Sequence, residues 1–414
     1  QERYGFQPTP EWLEHVQKAS INFGGGSGAF VSPDGLILTN HHVAFRAIQR
    51  ASTGERNYIQ EGFYAARIED EIQAPGYTAS VLVGVEDVTK RVLDAVTDGM
   101  SDLERFEAVE RRIKEIVAAA EKGRDVECRV APFYEGLQYK LFTYFVCKDV
   151  RIVYVPPESI GNYGGDIDNW MWPRHTGDFA FLRAYVAPNG APAEYAPENE
   201  PYRPAVFLPM SARGIRENDF TMVIGYPGRT GRHTTSHGVA YLQERSYPRR
   251  IAIFRDWLGI LQGEAARGED VAIKVASFDQ MLNNSMKNNE GMLDGFKKNG
   301  LLAKKIDTEK SFAMWLAMNP DMSAKYGDVL SGIAAVYEER KAYDEKRALL
   351  DYMGMGCQML SAGFTLDRWS EEKAKPDLER DPGYQERDIP RMKRRLRMLQ
   401  MSYDPQVDRR VLRY

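Results

Sequence analysis

The sequence predicts an α+β chain, in which a strand-rich section of the kind that closes into a small β-barrel is followed by a helical section. Three observations carry this reading. Short runs rich in Val, Tyr and Phe recur between turns at residues 80–85, 126–131, 141–146, 150–155, 179–186 and 220–224, a pattern that suits a barrel. Beyond residue 235 such runs fade, and amphipathic patterns take over around 239–262, 301–318, 328–353 and 385–401. The chain has 414 residues, 43% of them apolar, which is ample for a sizeable core and for two or three domains. The expected division is 1–235, strand-rich with a helical insert near 101–122, and 236–414, helical.

The first elements read as a β-hairpin that delivers a histidine. An apolar run, Ala29-Phe30-Val31, meets the turn Ser32-Pro33-Asp34-Gly35, and Leu36-Ile37-Leu38 returns. Pro at the second turn position and Gly at the fourth suit a type I turn. The return strand ends at Thr39-Asn40, where His42 leaves the sheet. His41 is read as the adjacent strand residue, facing the other way and structural. Trypsin-like serine peptidases place their general base at the end of a hairpin strand in this manner, which makes His42 the candidate base. Ser27, in Gly25-Gly26-Ser27-Gly28, sits in a nucleophile-like turn, but it opens the same hairpin and reads as a packing position.

The insert follows. Residues 102–120 carry apolar side chains at helical spacing, with Ser101 or Asp102 as N-cap. Further on, a Trp-rich run ends in a strand containing Phe179, Phe181 and Tyr185. Asp178, just after a Gly, stands at the entrance of that strand. An Asp there either caps a turn or lies against an imidazole and holds it in one tautomer. The histidine hairpin favours the second reading. Trp172, which precedes Pro173, reads as a core aromatic. Residues 225–231 form a Gly-rich loop. In the helical section, the run Leu282-Asn283-Asn284-Ser285-Met286-Lys287-Asn288 is a poor helix interior, because Asn competes for backbone hydrogen bonds. That points to a function there.

A trypsin-like nucleophile is not found. After Asp178 no serine has a Gly-x-Ser-Gly setting, and Ser331, the nearest, lies in a helical-looking segment. A net charge of −4 gives no indication of a nucleic-acid partner. No apolar run reaches the roughly 18 residues of a membrane helix. The scattered His15, His175, His233 and His237 lack metal-ligand spacing, so neither metal nor cofactor is implied. Three cysteines are too few for a disulfide framework. Cys128 and Cys147 pair only if their strands are neighbours, and buried free thiols are the simpler reading. With no initiator Met and no signal peptide ahead of Gln1, the sequence reads as a processed product or a piece lacking its start.

Several motifs together resemble one family, the S46 dipeptidyl peptidases, which are bacterial serine exopeptidases. They are Phe30-Val31-Ser32-Pro33-Asp34-Gly35-Leu36-Ile37-Leu38-Thr39-Asn40-His41-His42, Glu61-Gly62-Phe63-Tyr64-Ala65, Val85-Glu86-Asp87-Val88-Thr89, Gly161-Asn162-Tyr163-Gly164-Gly165-Asp166 through Asp178, and Gly225-Tyr226-Pro227-Gly228-Arg229-Thr230. The resemblance implies a chymotrypsin-like double barrel with a helical domain inserted between its halves. It places the nucleophile in a second barrel beyond Tyr414, so that this chain would be the N-terminal portion of the enzyme and inactive alone. Gly24-Gly25-Gly26 departs from the Cys that relatives carry after two glycines.

Carried over by position, His42 is the general base and Asp178 its orienting acid. Asn169 and Trp170 would help hold the α-amine of a peptide with a free N-terminus, through an amide oxygen and a cation–π face. Asn284 is the expected third amine contact, with Asn288 second. The helical domain would block longer N-terminal extensions. The family also implies a periplasmic or secreted homodimer. Two other readings stand beside it, an HtrA-like serine endopeptidase and a non-catalytic peptide-binding remnant.

Overall fold

The apolar runs of the first half pair into one antiparallel sheet. In chain order its strands are β1 Ser20–Phe23, β2 Gly26–Phe30, β3 Leu36–Thr39, β4 Phe63–Tyr64, β5 Ile72–Gln73, β6 Ala79–Asp87, β7 Glu127–Phe133, β8 Gln138–Cys147, β9 Asp149–Val155, β10 Ala180–Val186 and β11 Glu200–Pro201. Neighbours run β4-β9-β10-β3-β2-β1-β6-β8-β7, with β5 also on β9 and β11 on β10. The computed structural model describes residues 4–23, 25–228, 231 and 233–414. Gly24, and Arg229 and Thr230 of the expected loop, lie outside the described residues.

The expected closed barrel is corrected to an open sheet. β8 pairs with β6 on one edge and β7 on the other. β9 pairs with β10 on one edge and with β4 and β5 on the other. Neither strand keeps an edge for its neighbour, and only Lys148 separates them. β8 and β9 are therefore joined by the covalent chain and not by a ladder, and the sheet stays open, its ladders running from β9 through β10, β3, β2, β1 and β6 to β8. The expected strand at 220–224 is also corrected. Those residues have no regular structure, and Val223 is fully exposed. High β-propensity makes no strand without a partner edge.

Two units are distinguished. The first comprises Gln1–Tyr163, Thr176–Pro227 and Asp367–Met398, and the second Gly164–His175, Gly228–Leu366 and Leu399–Tyr414. The first is built on the sheet, with Ile21, Phe23, Phe30, Ile37, Ile152 and Leu182 fully buried. Helix α1, Pro10–Ala19, starts at Thr9, whose hydroxyl accepts from Trp12 N–H at 3.1 Å. Helix α2, His41–Ala51, buries Ala44, Phe45, Ala47 and Ile48. In the hairpin turn, Ser32 Oγ accepts from the N–H groups of Asp34 and Leu36, each at 3.2 Å. Gly35 has φ +69°, and a Cβ there would lie 2.6 Å from the Tyr202 carbonyl oxygen. Left-handed backbone and a closed space both require glycine.

Buried charges on the sheet are paired, as burial demands. Arg151 meets Asp149 at 2.9 Å, and Asn199 donates to the same carboxylate at 3.0 Å. Arg183 meets Glu71 at 2.9 Å, and the Tyr185 hydroxyl donates to Glu71 at 2.6 Å.

The insert is the helix Asp102–Glu121, opened by a full capping box between Ser101 and Glu104. Its last residue turns to the outer edge of β7. Glu121 Oε1 accepts from Cys128 N–H at 2.5 Å, while Arg387 donates to the Cys128 carbonyl at 2.9 Å and pairs with Glu121 at 2.9 Å. An edge position that would otherwise offer both backbone groups to another strand is thus closed. All three cysteines are free and buried. The β7–β8 register sets Cys128 against Thr143, not Cys147.

The second unit is helical. The helices Tyr247–Ala265 and Glu269–Lys298 pack along one another. Their core is Phe254, Trp257, Leu258, Leu261, Val275 and Leu282, joined by Cys357, Val407 and Val411. The Asn-rich run lies inside the 30-residue helix Glu269–Lys298, where packing overrides propensity. Asn283 satisfies its amide by donating to Asp279, one turn back, at 2.8 Å.

Candidate active site

The β3–β10 ladder brings the candidate base and acid together. Thr39 pairs with Ala180 and Leu38 with Phe181. Extending that register by two residues sets Asp178 level with His41, at the start of α2. Two groups 136 residues apart in the chain thereby meet. His42 Nδ1 lies 2.7 Å from Asp178 Oδ2. His42 backbone N–H donates to Asp178 Oδ1 at 3.0 Å. Asn40 Nδ2 donates to Asp178 Oδ2 at 3.2 Å and to the Asp178 carbonyl at 3.1 Å.

The carboxylate therefore does what an N-cap side chain normally does. Asn40 holds the N-cap position of α2 but makes no side-chain cap bond, because its amide is turned to Asp178. Asp178 Oδ1 takes a backbone N–H of the first turn instead, where an anion also suits the helix dipole. Burial raises the Asp178 carboxyl, but the hydrogen bonds from the His42 ring and backbone, with the nearby imidazoles, outweigh it. The carboxyl sits below its ordinary value and is ionised at neutral pH. An ionised carboxylate only accepts, so Nδ1 carries the ring proton and Nε2 is left as the basic nitrogen. The His42 side chain is 60% exposed and that of Asp178 24%.

His41 requires a correction. It is not a strand residue facing away from His42. Both histidines lie in the first turn of α2, where successive side chains differ by about 100°. That rotation buries His41 completely. A Cβ at Gly161 would come within 2.5 Å of its ring, so glycine is what admits the imidazole. Neither ring nitrogen has a hydrogen-bond partner among the described residues. Burial lowers the His41 pKa to about 4, with Asp178 opposing and His42 adding to the shift. Ser27 Oγ accepts from Tyr226 N–H at 2.7 Å, a structural contact.

In the second unit the other candidates also meet. Asn169 Nδ2 donates to Asn284 Oδ1 at 3.1 Å, and Trp170 Nε1 donates to the Asn284 carbonyl at 3.1 Å. Arg174 donates to Asn169 Oδ1 at 2.9 Å. Lys287 donates to the Ile167 carbonyl at 2.8 Å and to that of Asp166. Trp170 has φ +63°, a left-handed backbone that costs a non-glycine residue about 1–2 kcal/mol. Trp172 is corrected from a core aromatic to an exposed one, at 93%. Sequence reasoning missed Asn40, Arg174 and Lys287. Only Asn40 is of a capping residue type, and the sequence does not mark the helix that follows it.

The profile of the Peptidase S46 family matches residues 1–414. The chain belongs to the peptidase S46 family. An Asp/Glu-specific dipeptidyl-peptidase of Shewanella putrefaciens is 36% identical over 396 residues, 95% of this chain and 53% of that protein. A dipeptidyl-peptidase 7 of Porphyromonas endodontalis is 36% identical over 414 residues, 99% of this chain and 49% of that protein. Among solved structures, Porphyromonas endodontalis DPP11 in complex with the dipeptide Arg-Glu superposes with a TM-score of 0.76 at 29% identity, over 95% of this chain and 56% of that one. The S46 chain described here thus spans about half the length of the relatives it matches.

Among the described residues of this S46 chain, no three His, Cys, Asp or Glu side chains are arranged to hold a metal ion. No described helix is long and apolar enough to cross a membrane.

Proposed function

We propose that this chain is the N-terminal part of a serine dipeptidyl-peptidase that releases dipeptides from peptide N-termini by acyl-enzyme chemistry. The observation that carries the reading is the His42–Asp178 pair, with Nδ1 held at 2.7 Å and Nε2 left basic. His42 would take the proton of an attacking serine and return it to the leaving amine, while Asp178 stabilises the imidazolium. The serine would lie beyond Tyr414, in the half of the relatives' length that this chain does not match. Asn169, Trp170 and Asn284 would hold the substrate α-amine. Asn169 Oδ1 already accepts from Arg174, so the balancing negative charge would have to come from elsewhere in the full enzyme. Relatives of both the Asp/Glu-specific and the dipeptidyl-peptidase 7 kinds match. A periplasmic or secreted homodimer is part of the same proposal.

The test begins by sequencing the coding DNA past the codon for Tyr414 and expressing the full frame. Expected is an open frame that reaches a Gly-Asn-Ser-Gly-like turn, with dipeptide release by the product. His42→Ala and the serine variant should each lower kcat by at least about 10⁴. The 414-residue chain alone should show no turnover. A stop codon after Tyr414, with peptide bound but not cleaved, favours the peptide-binding reading instead. Cleavage inside peptides with blocked N-termini favours the HtrA-like one.

A further inference from the structure

We propose that the helical unit holds a binding site for a small organic carboxylate with an apolar body. The site is a cavity of about 380 Å³ lined from the helices Tyr247–Ala265, Glu269–Lys298, Val329–Lys341 and Asp344–Gly356. That volume falls at the small end of ligand pockets, roughly 300–1,000 Å³.

Charge decides the sign of the ligand. Arg249, Arg250, Arg340 and Arg347 line the cavity, against only Asp344 and Asp351. Asp344 is 3% exposed and already committed. It accepts from the Tyr241 hydroxyl at 2.5 Å and from Arg249 at 2.6 Å. Arg340 lies over the Tyr241 ring, 4.3 Å from its centroid, and donates to the same hydroxyl at 3.1 Å. Its Nε is buried with no hydrogen-bond partner among the described residues. A buried guanidinium N–H without an acceptor is costly, and an anion in the cavity would supply one. Guanidinium groups suit planar carboxylates, which they can bind in a two-pronged way.

The rest of the lining decides the body. Phe254, Met281, Tyr352 and Met355 are apolar, and they favour a hydrocarbon side chain on the acid. Asp351 disfavours a second negative charge, which argues for a monoanion over a phosphate dianion.

The experiment is isothermal titration calorimetry on the 414-residue chain with four probes: N-acetyl-leucine, N-acetyl-leucinamide, inorganic phosphate and an acetylated pentapeptide ending in leucine. N-acetyl-leucine should bind one saturable site, more weakly as salt rises. The uncharged amide and phosphate should each bind at least tenfold more weakly. Replacing Arg250 and Arg347 together by Gln should weaken the acid at least tenfold while circular dichroism and the melting temperature hold. If that pair melts the fold, Arg250→Gln alone carries the same expectation at severalfold. Three outcomes overturn the proposal: no saturation by millimolar acid, an amide that binds equally well, or variants that keep full affinity. Equal or tighter binding of the pentapeptide would also overturn it, and would assign the site to peptide C-termini.

Discussion

Asp178 accepts three hydrogen bonds on its carboxylate, two from His42 and one from Asn40. In the proposed enzyme, Asp178→Asn should lower kcat by about 10⁴ with little change in KM, because an amide no longer enforces the productive tautomer. Steady-state kinetics on the full-length protein checks this. His41 carries a different prediction. Its folded pKa, about 4, lies below the ordinary 6.5. Between those values the unfolded chain binds a proton that the fold refuses, so stability falls as pH drops from 6.5 to 4. The loss at this site is on the order of 3 kcal/mol. Asp178 acts lower, since its contribution is present above the ordinary 3.8 and is lost as pH falls through its depressed value. His41→Leu should flatten the upper window, as urea titrations at pH 7 and pH 4.5 would show. At this scale His42 and Asp178 were legible, because a hairpin and a strand entrance place them. His41 was not, since the sequence does not mark whether Asn40 ends a strand or caps a helix.

The β2–β3 hairpin and the β3–β10 ladder are what deliver the pair. Gly35→Ala meets left-handed backbone and a carbonyl 2.6 Å from the new methyl. It should cost more than about 1 kcal/mol, measurable by denaturant unfolding. The Glu121–Arg387 clamp on β7 is a second element-level case. Burial raises the Glu121 carboxyl more than Cys128 N–H and Arg387 lower it, and Glu127 and Asp388 raise it further. The charge there is a burden that Arg387 partly offsets. Glu121→Gln keeps an acceptor for Cys128 N–H and should change stability little. Arg387→Ala leaves the carboxylate uncompensated and should cost about 1–3 kcal/mol. Comparable losses in the two variants would contradict this ordering. Capping chemistry made the helix at 102–121 readable in sequence. The Asn-rich run misled, because Asn283 finds Asp279 within its own helix and Asn284 meets partners from a distant run.

Across the whole chain, two units divide the candidate residues, with His42 and Asp178 in the first and Asn169, Trp170 and Asn284 in the second. The strand-then-helix order was legible from hydrophobic period. Closure of the sheet was not, because closure depends on which edges remain free, and periodicity carries no record of edges. Residues 220–224 make the same point, being strand-like in composition and without a ladder. Val223, fully exposed, should accept Val223→Lys within about 0.5 kcal/mol in this chain. Thermal melts of the two forms check it.

The double use of Asp178 bears on how such a protein can decay. If the proposed hydrolysis were abandoned, replacing the His42 ring, whose side chain is 60% exposed, would give up one hydrogen bond to Asp178 and little packing. The fold would still need the Asp178 carboxylate to seat the first turn of α2. The acid would therefore outlive the activity, and in a silent copy the ring rather than the carboxylate would be the first to drift.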